Sequence, residues 1–190
     1  VRHERLFCPP GDTVLLSWAA ATDEHGITSY QIQRRANLSA SFATVGSTAA
    51  LSYTDNGVTP QTTYQYQVLA LDTSSNPSAP SNRDLATTIT YLDDPLIPES
   101  TLVRATHIME LRTATNSIRL FAGLPAASWT DASLVGMSVQ ALHVEELRTR
   151  LGEALGAIGV TTSPYTDPTL AANSTMIRAV HMTELRGNTK

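Results

Sequence analysis

Ten residues, VRATHIMELR at 103–112, return as VQALHVEELR at 139–148 and as IRAVHMTELR at 177–186. The copies share an aliphatic opening residue, then Ala105/Ala141/Ala179, His107/His143/His181, Glu110/Glu146/Glu184, Leu111/Leu147/Leu185 and Arg112/Arg148/Arg186. They start at 103, 139 and 177, steps of 36 and 38 residues, which is the period of arrays of short structural units. One such unit cannot bury its apolar face alone, so the second half of the chain must fold by packing like against like. The 190 residues have room for two modest cores rather than one large enzyme core.

The recurrence extends upstream of each decapeptide. YLDDPLIPESTLV (91–103), WTDASLVGMSV (129–139) and YTDPTLAANSTMI (165–177) each open on an aromatic, place Asp93, Asp131 or Asp167 two residues on, and then Leu96, Leu134 or Leu170. The expected unit is an aromatic-Asp turn, a short extended arm, a Ser/Thr entry and a helix. Ser100/Thr101, Ser138 and Ser174/Thr175 are the expected caps, because a hydroxyl oxygen can accept from first-turn amides. Val103, His107, Leu111, Ala114, Ile118 and Phe121 form the apolar stripe of the first helix. Val139, His143, Leu147, Leu151, Ala154 or Leu155, and Ile158 repeat it. Gly123, Gly156 or Gly159, and Gly187 are the expected stops. This predicts a separate all-α domain over 91–190, with repeats at about 91–123, 129–160 and 165–190. Trp129, Tyr165 and Leu134 or Leu170 should fill the gaps between its layers.

From Leu6 to about Thr90 the period is two, with turn clusters at the spacing of a β-sandwich. Strands are expected at 6–8, 13–19, 29–35, 43–46, 52–54, 63–71 and 82–90. Inward residues should be Val14, Leu16 and Trp18 in one strand and Tyr64, Tyr66, Val68 and Ala70 in another. Residues 1–90 are thus expected to form a seven-stranded, two-layered sandwich.

Two stretches carry a family resemblance: VLLSWAAATDEHGITSYQIQRR (14–35), with Trp18 and Tyr30, and VTPQTTYQYQVLALDTSSNPSAPS (58–81), with Val58, Pro60 and Tyr64. The first half resembles a fibronectin type III domain of the bacterial extracellular kind. The resemblance implies that Tyr64 makes the tyrosine corner. No Arg-Gly-Asp tripeptide occurs, so integrin-type attachment is not implied. The repeat is similar to an I-[RK]-A-x-H-[IV]-x-E-L-R motif of secreted bacterial proteins, which implies a location rather than an activity.

Several function classes lose their footing in the residue counts. Formal net charge is -4 and the sequence pI about 5.7, which offers no basic face for neutralising nucleic-acid phosphates. Lys190 is the only lysine, so no interior lysine is available for a Schiff base or a phosphate loop. No apolar run is long enough to cross a membrane. The start at Val1, without a leader or initiator Met, reads as a mature product or a fragment. Cys8 stands alone and is expected as a buried strand thiol, which leaves no internal disulfide and no Cys-rich zinc site.

The three His-x-x-Glu pairs are the sharpest chemical candidates. Residues three apart are neighbours on a helix, so His107/Glu110, His143/Glu146 and His181/Glu184 could share a proton or face a metal. Each histidine, however, lies on the apolar stripe, and one catalytic centre does not come in three copies. The expected role is structural, with imidazole bonding the backbone of the preceding arm, and with no catalytic residue, metal or cofactor. Arg112 is expected to pair with Asp131 or Asp93, and Arg148 with Asp167, as register setting. Asp93-Asp94 and Asp23-Glu24 read as solvated acidic turns. Asn37 and Asn173 head glycosylation-type sequons.

The expectation for function is a non-catalytic extracellular or cell-surface bacterial protein, a structural or adhesive module assembling into a fibre. Its partners would be its own copies, other extracellular proteins or glycans, with no nucleic acid and no membrane span. The alternatives are an accessory spacer or carbohydrate-binding module of a secreted hydrolase, and a metal-dependent site on the repeated histidines.

Overall fold

The computed structural model describes residues 3–7, 13–24, 26–171 and 175–189, with residues 3–7 described as backbone. Cys8, the 9–12 turn, Asn173 and Ser174 lie outside the described residues. Contacts divide the chain into two compact units, residues 1–88 and 89–189.

The first unit is a sandwich. Its strands are β1 (His3–Phe7), β2 (Val14–Trp18), β3 (Ile27–Arg35), β4 (Ala43–Thr48), β5 (Ser52–Asp55), β6 (Thr63–Asp72) and β7 (Asp84–Thr87). They form one sheet in the order β1-β2-β5 and another in the order β4-β3-β6-β7, with every pairing antiparallel. This is the fibronectin type III-like arrangement. Alternation decides what lies between the sheets: Val14, Leu16 and Trp18 of β2 meet Tyr30 and Ile32 of β3 and Tyr64, Tyr66, Val68 and Ala70 of β6. Trp18 and Tyr30 pack with ring centroids 5.5 Å apart. Tyr64 Oη accepts from the Thr59 amide at 3.0 Å, the geometry of a tyrosine corner.

Three local features depart from the expected strands, the first being β1, which covers 3–7 rather than 6–8. β7 covers 84–87 rather than 82–90. Pro77 and Pro80 have no N–H for a ladder. There the Ser78 and Ser81 hydroxyls accept from the Ala70 and Val68 amides, each at 3.0 Å, and tie the segment to β6. Beyond Thr87, Thr88 binds the 59–62 turn instead, its amide donating to Thr62 O at 3.0 Å. β6 is also buried on both faces over Thr63–Val68, where alternation marks only one. Its outward amides are covered and paired: Arg35 donates to Gln65 Oε1 at 2.9 and 2.6 Å, and Gln67 Nε2 donates to Gln33 Oε1 at 2.8 Å.

Glycine at position 46 leaves room for an aromatic ring. A Cβ there would stand 2.4 Å from the Tyr53 ring, which crosses from β5 to donate its hydroxyl to Val45 O at 2.9 Å.

The second unit holds α1 (Ala105–Phe121), α2 (Ala141–Ile158) and α3 (Ala179–Asn188), each in contact with the other two. The interior includes the expected Leu111, Ala114, Ile118, Phe121, Leu147, Leu151, Ala154 and Leu155. It also takes Ile108, Val144 and Met182, each one residue past the histidine, so the buried stripe is wider than the period alone indicates. Leu96, Leu134 and Leu170 of the arms are buried too.

The helix ends correct two expectations. The N-caps are Arg104, Gln140 and Arg178 in extended conformation, not the earlier serines and threonines. Thr101 and Thr175 close the arm instead, accepting from the Ile97 and Ala171 amides at 2.9 and 3.0 Å. Gly123 and Gly159 do adopt left-handed φ values of 78° and 80° at the ends of α1 and α2. Gly187 lies inside α3, which ends on Asn188 with Thr189 as its cap.

Candidate functional site

Each histidine is the third residue of its helix, and its ring is fully buried. Nδ1 of His107, His143 and His181 accepts from the backbone N–H of Arg104, Gln140 and Arg178 at 3.2, 3.1 and 3.1 Å. This is the reach-back half of a capping box, with imidazole in place of Glu or Gln. Nε2 lies 3.3, 2.9 and 2.8 Å from Oδ2 of Asp93, Asp131 and Asp167. A ring whose Nδ1 accepts carries its proton on Nε2 when neutral, so Nε2–H donates to the carboxylate. Both ring nitrogens are thereby engaged in hydrogen bonds.

The glutamates act elsewhere. Glu110 Oε1 accepts from the Leu92 amide at 3.0 Å, and Glu146 Oε1 from the amide and hydroxyl of Thr130 at 2.9 and 2.5 Å. Glu184 Oε1 accepts from the Thr166 amide at 2.8 Å and from its hydroxyl. The His-x-x-Glu pair is therefore two separate grips on one arm: histidine takes the Asp side chain, and glutamate takes the amide just before it. The histidine's partner is the aspartate and not the glutamate three residues on.

The arginines link one repeat of the helical unit to the next. Arg112 and Arg148 donate to the backbone carbonyls of Asp131 and Asp167, both at 2.7 Å. They stack over Trp129 and Tyr165 at 4.7 and 4.2 Å from the ring centroids. The expected Arg112–Asp131 and Arg148–Asp167 partners do meet, through the carbonyl, since the carboxylate is held by histidine. Arg186 reaches back to the first repeat of the helical unit, donating to Leu92 O at 2.7 Å and stacking on Tyr91 at 4.6 Å. The three contacts thus run from first to second, second to third and third to first, which closes a ring.

Charge follows this geometry. Burial pulls the Arg112 guanidinium below the usual arginine range, partly offset by Glu146 and Asp131. Burial pushes the Tyr91 phenol well above its usual range, against the Thr189 hydrogen bond and Arg186. The His181 hydrogen bond holds the Asp167 carboxyl below the usual carboxylate range.

Among the described residues no group of three or more His, Cys, Asp or Glu side chains is arranged to hold a metal ion. Asp93 and Asp94 are engaged by His107 and Arg186 respectively. Asn37 is exposed on the loop between β3 and β4, where its Oδ1 accepts from the Ser39 hydroxyl at 2.9 Å. Asn173 lies outside the described residues. The sandwich has a buried polar cluster that sequence reasoning missed. Asp55 Oδ2 accepts from Arg34 at 2.7 Å and from the Tyr66 hydroxyl at 3.0 Å, while Oδ1 accepts from the Gly57 amide at 2.9 Å.

No protein-family model matches the chain. Over 76 residues it is 42% identical to an alpha-amylase of Niallia circulans, a stretch covering 40% of this chain and 5% of that protein. Over 83 residues it is 37% identical to exoglucanase B of Cellulomonas fimi, 44% of this chain and 7% of that protein. Chitinase 63 of Streptomyces plicatus is 40% identical over 76 residues, 40% of this chain and 12% of that protein. The match is thus a small fraction of each relative's length. A solved structure, an Fn3-like protein from Clostridium thermocellum, is 29% identical, covers 40% of this chain and 75% of that one, and superposes with a TM-score of 0.36.

Proposed function

We propose that the chain is a non-catalytic, extracellular accessory region of a bacterial polysaccharide-degrading protein, in which a fibronectin type III-like sandwich serves as a spacer and the helical unit as a rigid interaction module. The observation that carries this reading is the company the matched stretch keeps. An alpha-amylase, an exoglucanase and a chitinase act on different polysaccharides, yet each contains a stretch about 40% identical to this chain. A segment common to such different chemistries is suited to holding parts together, not to selecting a substrate. The expectation of a fibre or adhesin gains no support from these relatives.

Spacing is favoured over carbohydrate binding by the placement of the aromatics. Trp18 is buried in the sandwich, and Trp129 lies beneath Arg112. The large apolar side chains exposed among the described residues are all Leu, Ile, Val and Met, whereas sugar platforms need an open aromatic face. The test is incubation with starch, cellulose and chitin. The expected outcome is no new reducing ends and no retention on the insoluble polymers; hydrolysis or strong retention would overturn the reading.

A further inference from the structure

The segments that lead into the three helices surround a depression of about 690 Å³, lined by residues 102–105, 137–142 and 175–177. That volume lies in the range of pockets that take a ligand or a partner's side chains. Its wall comes from equivalent positions of the repeat, Val103, Val139 and Ile177. Its rim comes from positions where the repeat varies. Leu102 and Met176 are 72% and 73% exposed, and the equivalent residue in the second repeat is Ser138. Serine therefore satisfies the fold there, and two large apolar side chains held in water serve something other than the unit's own packing. Met137 makes the same point: its counterparts Thr101 and Thr175 close the arm through their hydroxyls, and methionine gives up that bond.

The electrostatics of the depression run against those of the whole chain. Net charge is -4, yet the lining holds Arg104 and no carboxylate. Arg178, exposed beside the lining residue Ile177, adds a second cation. The first turns of all three helices carry no acidic residue of their own; the carboxylates beside them are Asp93, Asp131 and Asp167 of the arms, bound to the buried histidines.

We propose that this depression docks a peptide segment of a partner protein that carries aliphatic side chains beside carboxylates. An apolar wall with cations at its rim fits such a segment by shape and by sign. No aromatic lines the depression, so it offers no stacking surface for sugars. A second copy docked head-on would set Arg104 and Arg178 against their own equivalents. The inference is independent of the accessory-region reading.

The test is fluorescence anisotropy of labelled peptides titrated with the full chain, using an alternating leucine-aspartate peptide and a leucine-lysine control. The aspartate peptide is expected to bind saturably, and the lysine control about ten-fold more weakly or not at all. The double variant Leu102→Ser, Met176→Ser should weaken binding of the aspartate peptide about ten-fold. Arg104→Glu with Arg178→Glu should reverse the preference between peptides. These positions are exposed or at the rim, so an unchanged thermal midpoint for each variant separates lost docking from lost folding. Absence of saturation, equal affinity for both peptides, or full binding by the serine variant would overturn the proposal. So would sedimentation showing a dimer of the unmodified chain that the serine variant abolishes, since the occupant would then be a second copy.

Discussion

The two units solve one problem, how to hold chain segments in place, by opposite means. In the sandwich the backbone does most of it: seven antiparallel strands satisfy one another through ladders, and one buried side-chain cluster, Asp55 with Arg34 and Tyr66, joins β5 to β3 and β6. In the helical unit the arms between helices have no ladder partner. Each is held by side chains from a helix, histidine on the Asp, glutamate on the preceding amide, and arginine from the neighbouring unit on the carbonyl. A backbone ladder tolerates almost any side-chain identity, whereas side-chain grips demand particular residues. This is why the helical half repeats conspicuously and the sandwich half does not.

The largest expected effect lies at the buried charged cluster of the sandwich. Asp55→Ala strands Arg34 and the Tyr66 hydroxyl, and should cost about 3 to 5 kcal/mol in urea unfolding. A loss below about 1 kcal/mol would mean that the ladders alone carry the sandwich. Next is His143→Ala, which removes an acceptor, a donor and buried volume together, at about 2 to 4 kcal/mol. His143→Gln keeps an acceptor at the capping position and should recover part of that loss. Equal losses for the Ala and Gln variants would remove the capping argument. Gly46→Ala should cost about 1 to 3 kcal/mol by displacing Tyr53, measured by the same unfolding.

The ring closure makes a sharper comparison. Arg186→Lys keeps the charge but loses the planar contacts with Tyr91 and Leu92, and should cost about 1 kcal/mol, as much as Arg112→Lys. If the third repeat were a frayed end, the Arg186 substitution would be neutral. The smallest effect is acid sensitivity at Asp167. Its carboxyl is held below the usual range by His181, so its contribution is present above the ordinary carboxylate pKa and lost as pH falls through the lowered value. Asp167→Asn should therefore flatten a small part of the acid limb of thermal stability, and an unchanged limb would deny the linkage.

What the sequence made legible follows the same division. Val14, Leu16 and Trp18, or Tyr64 and Tyr66, announce themselves because inward positions recur every second residue within one strand. Asp55 does not, since its partners Arg34 and Tyr66 are brought near only by the crossing of two sheets. In the helical half, repetition exposed Asp93, Asp131 and Asp167 together with the histidines. Spacing along one helix suggested glutamate as the partner, because an arm folded back over the first turn has no signature in helical periodicity. The caps were misplaced for a related reason: Thr101 and Thr175 sit where a helix entry is expected, but their hydroxyls close the arm while imidazole takes over the cap. The doubly buried β6 was illegible because its outward Gln65 and Gln67 read as solvent-facing until Arg35 and Gln33 are seen across the sheet.

The account turns on the histidines being internal connectors with both ring nitrogens committed. Long-range proton–nitrogen correlation of a 15N-labelled sample at neutral pH reads each imidazole tautomer directly. The prediction is three rings, His107, His143 and His181, locked with the proton on Nε2 and unmoved by added zinc. Rings that average between tautomers, or nitrogen shifts that follow a zinc titration, would contradict it.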